Sequence, residues 1–156
     1  AFKPDQPYDE IESSYLFGDK LSVIMRKDYA LADRKSISLE ELKRHRLAIP
    51  AKGLQARNAL EKYICIERSD LNVCLEINEA NILLDIVQDN NLLTMLSEAS
   101  VRGRDLLKAV PLDLPKNQMQ GCVHTLKRVL HKRSTEVFVK MLRDANIIQE
   151  LSDKWL

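Results

Sequence analysis

The sequence predicts an α/β protein whose core is a mostly parallel sheet covered by helices. Short apolar runs suited to strands alternate along the chain with segments whose apolar residues recur at helical spacing. Apolar residues make up 45% of the 156 residues, which is enough for a real core in about one domain. The order strand, helix, strand, helix favours parallel strands with crossover helices.

The first elements are predicted from turn and capping signals. Two strands are expected at residues 13–17 and 21–25, with a Gly-Asp turn signal between them. Ser38 and Glu41 have the spacing of a capping box, in which the two side chains bond the free amides of a first helical turn. A short helix should therefore begin at Ser38.

A strand at residues 47–49 is followed by a loop that contains Pro50 and Gly53, and then by a helix that reaches about Tyr63. Free backbone amides and the positive end of a helix dipole make such a junction a natural seat for a small anion or polar ligand. Because strand-loop-helix junctions occur in every α/β protein, the stretch alone does not separate a ligand site from an ordinary connection.

The next strand is predicted at residues 73–77, with Asn78 as the N-cap of a helix over residues 79–88. Asn78 can serve as a helix cap only, or as a cap that also lines a pocket, and the sequence leaves both readings open. Since ligands in open α/β sheets collect outside the carboxyl ends of strands, the ends of strands 47–49 and 73–77 could face one cleft. The expected apolar stripe of the helix is Ile82, Leu83, Ile86 and Val87.

The rest of the chain continues the alternation. Strands are expected at residues 92–96 and 106–110, and Ser97 should cap a short helix between them. A proline-containing break at residues 111–115 precedes a long strand candidate at 122–130. A last helix should begin near Ser134, with an apolar face of Val137, Met141, Ala145 and Ile148 and with Phe138 and Leu142 beside it.

Charge and cysteine content exclude several classes of function. The net charge of +1 gives no sign of binding to nucleic acid or to an anionic membrane, and no apolar run approaches the roughly 20 residues of a membrane span. The basic cluster at residues 127–133 is interpreted as a solvated strand end in preference to a DNA-facing patch. Three cysteines without C-x-x-C spacing argue against a disulfide framework and favour a reducing cytoplasm. Cys65 and Cys74 are expected to pack in the core.

No motif of catalysis, metal binding or cofactor binding is visible. The three histidines, His45, His124 and His131, belong to no metal-ligand pattern. Nucleophile elbows and phosphate-binding glycine loops are also missing from the sequence. We therefore expect no metal and no cofactor, and we disfavour an enzyme, although catalytic triads are spatial and need no sequence pattern.

Several segments, taken in order, resemble the effector-binding domain of LysR-type transcriptional regulators, and the match rests on order and spacing because each piece alone is weak. Two departures are Asn90-Asn91, where the family usually has a glycine turn, and Tyr29, where a proline is more usual. Asparagine tolerates the left-handed backbone that glycine would supply. The matching segments are LSVIMRKDYALA at 21–32, ISLEEL at 37–42, LEIN at 75–78 with the helix to Val87, LLKAVPL at 106–112, and LHKR at 130–133 with the following helix.

The resemblance implies a two-lobed fold of the periplasmic-binding-protein type 2 class. It assigns residues 1–16 to a remnant of the first lobe and its crossover, 17–115 to a complete second lobe, and 116–156 to the return strand and C-terminal helix of the first lobe. With the first lobe only partial, exposed edges should lead this chain to dimerise or to swap domains. The stretch from Ile82 to Leu96 is most similar to the cyanate-responsive subgroup.

The resemblance also implies a function in sensing. A small effector, polar or anionic, would bind between the lobes of a cytoplasmic regulator and shift a DNA-bound homo-oligomer, a dimer or tetramer at full length, between two arrangements. DNA would be contacted only by an N-terminal domain outside this chain. The residues that the resemblance places in the effector site are Phe2, Pro50, Ala51, Gly53, Leu54, Gln55, Glu76, Ile77 and Asn78.

Two other functions share this fold. A solute-binding protein of a transport system should carry an export signal upstream of Ala1, whereas a regulator should carry a helix-turn-helix there. An enzyme on the same fold would have to turn over a candidate ligand. The identity of the effector cannot be read from the sequence, because exposed helix amides accept any small anion or polar group.

Overall fold

The computed structural model describes residues 8–144, which fall into two units. The large unit comprises residues 19–118, and the small unit combines the segments on either side of it. In chain order the strands are β1 (Ile11–Asp19), β2 (Leu21–Arg26), β3 (Arg46–Pro50), β4 (Asn72–Ile77), β5 (Thr94–Ser97), β6 (Leu107–Pro111) and β7 (Met119–Leu126). The helices are α1 (Leu39–Leu42), α2 (Gln55–Glu61), α3 (Ala80–Asp89) and α4 (Arg133–Asp144), with short 3₁₀ turns at Ile66–Arg68 and Glu98–Val101.

The large unit is built on one sheet that forms from two parts. In the first part β2 lies between β5 and β6 and is antiparallel to both, and in the second part β3 pairs with β4 in parallel. A parallel bridge between Leu47 and Leu93 joins the parts: the Ala48 amide donates to the Leu93 carbonyl at 2.9 Å, and the Leu93 amide donates to the Arg46 carbonyl at 3.0 Å. The strand order is β4-β3-β5-β2-β6, and only β2 runs against the others, so the predicted mostly parallel α/β sheet is confirmed.

Central strands of this sheet are buried on both faces. Residues 21–25 of β2 are all buried, without the alternation of a strand that faces water on one side. α3 covers the sheet through Leu83, Leu84 and Val87. The predicted stripe of this helix is wrong at Ile82, which is 52% exposed, because the helix is turned so that Leu84 faces the core instead.

The turn after α3 also differs from the expectation. Asn90 has an extended backbone with a φ of −131°, so the left-handed conformation expected from the missing glycine does not occur there. Its side-chain amide instead donates to the Ile86 carbonyl at 2.9 Å and closes the last turn of the helix.

A single asparagine fastens the two chain segments that enter and leave the large unit. The Asn117 side-chain oxygen accepts from the Leu21 amide at 2.9 Å, and its nitrogen donates to the carbonyls of Leu21 and Leu112 at 2.9 and 2.8 Å. The side-chain amide thus adds two hydrogen bonds to Leu21, the first residue of β2. Such a part-buried group is costly to remove because the Leu21 amide would lose this acceptor, and the carbonyls of Leu21 and Leu112 would each keep only one backbone donor, the amides of Leu112 and Leu114.

Replacing Asn117 by alanine is expected to lower the free energy of unfolding by about 2 kcal/mol, since three hydrogen bonds of about 1 kcal/mol each are lost and water restores some of them. Urea denaturation monitored by circular dichroism would measure the change. Asn91→Ala, at an exposed position, is the control and should change stability by less than about 0.5 kcal/mol. Equal effects of the two substitutions would contradict a fastening role for Asn117.

The small unit pairs β1 with β7. The predicted strands at 13–17 and 21–25 are confirmed as β1 and β2, but they belong to different sheets and do not form a hairpin. Gly121 allows the Phe17 ring to lie against β7, because a Cβ there would stand 2.4 Å from the ring. The long strand expected at 122–130 begins earlier, at Met119, and ends at Leu126, since Arg128 turns the chain with a φ of 59°.

The last helix begins at Arg133, one residue before the predicted start, and its predicted apolar positions Ala145 and Ile148 lie outside the described residues. Val137, Phe138 and Met141 are each about half exposed. Across residues 8–144, no helix is both long enough and apolar enough to cross a membrane.

Two cysteines are not where they were predicted. Cys65 and Cys74 are exposed, whereas Cys122 is buried. Cys74 lies on β4, an edge strand of the sheet, where the register slips by one residue and leaves Cys74 as the extra residue of a bulge. An apolar neighbourhood in the sequence did not reveal this, because exposure of an edge strand depends on which strands lie beside it.

Candidate functional site

The candidate site is the edge of the sheet where β3 and β4 end. Pro50, the last residue of β3, pairs with Ile77, the last residue of β4. The ladder continues one step further, because the Ala51 amide donates to the Ile77 carbonyl at 2.8 Å. The two strand ends that the sequence singled out therefore lie side by side.

The loop at residues 51–54 connects β3 to α2 through a tight turn. Gly53 has a φ of +91°, a conformation that favours glycine, and no atom lies within 4 Å of the place where a Cβ would stand. The Leu54 amide donates to the Ala51 carbonyl at 3.2 Å and closes the turn. Since the N-cap residue Leu54 has no polar side chain, it does not cap the first amides of α2.

The beginning of α3 corrects the predicted cap. Glu79, and not Asn78, is the N-cap: its carboxylate accepts from the Asn81 amide at 3.1 Å and from the Ile82 amide at 2.8 Å. These backbone hydrogen bonds lower the pKa of Glu79. The helix starts one residue later than predicted, so the longer Glu79 side chain reaches the second and third amides. Of the two readings of Asn78, the cap is thus excluded, and its side chain is exposed beside the strand ends.

Arg57 is the residue that sequence reasoning missed. It lies on α2 and is 1% exposed, the largest fully buried side chain among the described residues. Its Nε donates to Glu61 Oε1 at 2.7 Å, and its Nη1 lies 3.4 Å from both the Pro50 carbonyl and Glu76 Oε2. Its Nη2 is 3.6 Å from Glu67 Oε1. The i,i+4 spacing of Arg57 and Glu61 was the only signal available, and that spacing is common on solvated helices.

Glu76 was predicted to contact the effector, and the structure directs its carboxylate toward Arg57. The Glu76 side chain remains 44% exposed, so the ion pair occupies one side of the carboxylate and solvent the other. The residue is therefore available both to hold Arg57 and to meet a polar ligand.

A second ion pair flanks the loop. Lys52 Nζ lies 2.6 Å from Glu67 Oε1, and both side chains are at least half exposed. The hydrogen bond from Lys52 is the main cause that lowers the pKa of Glu67 to about 2, and the same contact raises the pKa of Lys52. The cations nearest this loop, Lys52 and Arg57, are thus both engaged with carboxylates.

The lowered pKa of Glu67 predicts a pH dependence of stability. A carboxylate with a folded pKa near 2 and an ordinary value of 4.5 contributes stability above about pH 4.5, and this is lost as pH falls through 2. The stability difference between the native protein and Glu67→Gln should therefore shrink steadily between pH 4.5 and pH 2. Urea midpoints across this range would measure it, with Asp89→Asn on the exposed end of α3 as the control for loss of one charge. A difference that does not vary with pH would contradict the assignment.

The predicted site residues on the large unit thus lie at the same edge of the sheet but differ in their exposure to solvent. Pro50 is buried, Ala51 and Ile77 are half-buried at the joined strand ends, and Gly53 and Gln55 are exposed at the loop and the start of α2. Leu54 is half-buried between them. Phe2 lies outside the described residues. Within residues 8–144, no group of three potential ligands could hold a metal ion.

Comparison with known proteins shows what this chain is similar to in sequence and in fold. The family model of the LysR substrate binding domain matches residues 2–146. The Synechocystis CcmR regulatory domain in complex with 2-PG has a TM-score of 0.77 and 19% identity, over 91% of this chain and 70% of that chain. The effector binding domain of QuiR in complex with shikimate has a TM-score of 0.71 and 15% identity, over 86% and 64% of the two chains.

The third structure is HinK, a LysR family transcriptional regulator from Pseudomonas aeruginosa, with a TM-score of 0.71 and 16% identity. The match covers 92% of this chain and 51% of HinK, so the chain spans between about half and 70% of the length of these structures. At such identities the likeness establishes the fold, which is the periplasmic-binding-protein-like type 2 fold predicted above. A comparison with curated proteins gave no match.

Proposed function

Because the chain belongs to the LysR substrate binding domain family, we propose that it is the effector-sensing part of a bacterial LysR-type transcriptional regulator. In this proposal a small polar or anionic molecule binds at the edge of the sheet where β3 and β4 end. Binding shifts the regulator, bound to DNA as a homo-oligomer, between two arrangements. DNA is contacted by a part of the protein outside this chain, and the effector undergoes no reaction.

The observation that carries the proposal is the pairing of Pro50 with Ile77 at the strand ends. This pairing brings two strand-to-helix connections together at the carboxyl edge of a parallel sheet, which is the place where open α/β folds bind ligands. The neighbours that hold 2-PG and shikimate support a small-molecule effector.

Each residue of the proposed site has a chemical role. The backbone amides of Gly53 and Gln55 and the exposed side-chain amide of Gln55 meet the polar end of the effector, since no side chain caps the loop, whereas the Leu54 amide already donates to the Ala51 carbonyl. Asn78, exposed and released from capping, offers an amide that both donates and accepts. Pro50, Ala51, Leu54 and Ile77 form the apolar walls, Glu76 contributes a polar contact, and Phe2 is proposed as a further wall.

The amides at the start of α3 take no part in this proposal, because the Glu79 carboxylate already accepts from them. An anion placed there would displace a negative charge of the protein itself. The polar end of the effector is therefore assigned to the loop at residues 51–54 and the first turn of α2.

The lobe assignment completes the proposal. Residues 17–115 form the second lobe, while residues 1–16 and 116–156 belong to the first. The regulator works in the cytoplasm as a dimer or tetramer and needs no cofactor. The family match argues against the alternative of a solute-binding protein, because it is specific to the LysR domain.

Gln55→Ala and Asn78→Ala in the intact regulator should each weaken the response to effector about tenfold, since each removes one or two polar contacts. A thermal-shift screen of small anions and polar metabolites identifies the effector, and calorimetry then measures its affinity. Reporter induction and DNA binding are measured in parallel, and DNA binding should not change.

The controls are Gln88→Ala and Asn91→Ala, which remove the same side chains elsewhere in the large unit. Both should leave the affinity unchanged. An unaltered response in both site variants would remove Gln55 and Asn78 from the effector site.

A further inference from the structure

Arg57 is a buried cation, and helix packing alone does not explain why an arginine stands at this position. Its side chain is 1% exposed, and a charge so far from water is tolerated only when hydrogen-bonded partners surround it. An apolar residue on this face of α2 would have packed without such partners, as Leu60 does one turn later.

The partners come from four separate segments. They are Glu61 on α2, the Pro50 carbonyl at the end of β3, Glu76 at the end of β4, and Glu67 in the 3₁₀ turn Ile66–Arg68. The three carboxylate side chains are between 31% and 50% exposed, so their outer oxygens remain solvated. The guanidinium therefore links α2 and the 3₁₀ turn to the paired ends of β3 and β4.

One end of the loop at residues 51–54 is hydrogen-bonded to this side chain, and the other end continues into the helix that carries it. Its first neighbour, Pro50, accepts from Arg57 Nη1 through its carbonyl. Its last neighbour, Gln55, stands two residues before Arg57 on the same helix. No atom lies within 4 Å of the place where a Cβ of Gly53 would stand, so neighbouring side chains do little to fix the loop there.

We infer that Arg57 is a positioning residue that holds the loop at residues 51–54 in its binding conformation. The inference rests on the proposed function of that loop. A planar guanidinium can reach the Pro50 carbonyl and the carboxylates at once, whereas the single ammonium of a lysine cannot. Arg57 therefore acts on the effector through the loop without touching it.

Hydrogen-deuterium exchange of the intact protein, followed by mass spectrometry of peptides, tests the inference without any effector. In Arg57→Met, which keeps a side chain of similar length, amides of residues 51–55 should exchange about tenfold faster, while peptides of β2 and β5 keep their native rates. Arg57→Lys should show the same selective change and guards against misfolding of the methionine variant. Arg104→Met, which removes an arginine paired with Asp85 on α3, is the control and should leave the loop unchanged.

Unchanged exchange in the loop of both Arg57 variants, or an increase only in proportion to that of the core strands, would overturn the inference. The result is separate from that of the proposed function, which fails when the Gln55 and Asn78 variants respond normally to the effector. If the loop exchanges faster in both Arg57 variants while the Gln55 and Asn78 variants respond normally to effector, the proposed effector site is wrong but the role of Arg57 in holding the loop stands.

Discussion

Replacing Leu93 by alanine is expected to lower the free energy of unfolding by about 3 kcal/mol. Leu93 is 0% exposed and its backbone joins the two parts of the sheet, so the deleted atoms leave a cavity that rigid strands cannot close. Urea denaturation should show a lower midpoint with an unchanged dependence on urea, because the unfolded chain exposes the same surface.

Leu106→Ala provides the matched control, since the same side chain is 62% exposed there. Its loss should be within about 0.5 kcal/mol. Similar losses at the two positions would mean that the Leu93 side chain is not buried as described.

Gly53→Val should reduce the affinity for effector at least tenfold. This is the largest functional effect that we expect from a single substitution in this chain. Space for the side chain exists, but a branched residue resists a φ of +91° and forces the loop into another conformation, at about 1–2 kcal/mol. The proposed amides of Gly53 and Gln55 then point elsewhere. Calorimetric titration with the effector identified by the thermal-shift screen would measure the loss.

Gly103→Val is the control for this backbone strain. Gly103 has a φ of +74°, also meets no atom within 4 Å of its Cβ position, and precedes β6 at the opposite edge of the sheet. The two variants should lose similar stability, and only Gly53→Val should lose effector affinity. Equal affinity in both would show that the geometry of the loop does not determine binding.

The architecture was accessible from the sequence because it depends on local patterns. Apolar runs at residues 21–25 and 47–49 predicted β2 and β3, since strands covered on both faces need no polar alternation. The short helix expected after the capping signal at Ser38 is α1, and Ser38 is its N-cap, with its hydroxyl accepting from the Glu41 amide at 3.2 Å. Such signals lie within a few residues of the feature that they predict.

The details of the site were not accessible, because they depend on contacts between distant segments. Glu76 lies 19 residues from Arg57, and nothing in the sequence reveals that the two meet beneath the loop. The choice between Asn78 and Glu79 as cap depended on where α3 starts, and a shift of one residue reversed it. The exposure of Cys74 likewise required the strand order.

The fastening by Asn117 has a consequence for how the protein can be rebuilt. Since Leu21 and Leu112 are hydrogen-bonded to the same amide and to each other, the chain enters and leaves residues 19–118 at almost one point. A segment with adjacent termini can be excised and grafted into a surface loop of another protein, or circularly permuted, without rearranging its sheet. We therefore expect residues 19–118 to tolerate grafting and circular permutation.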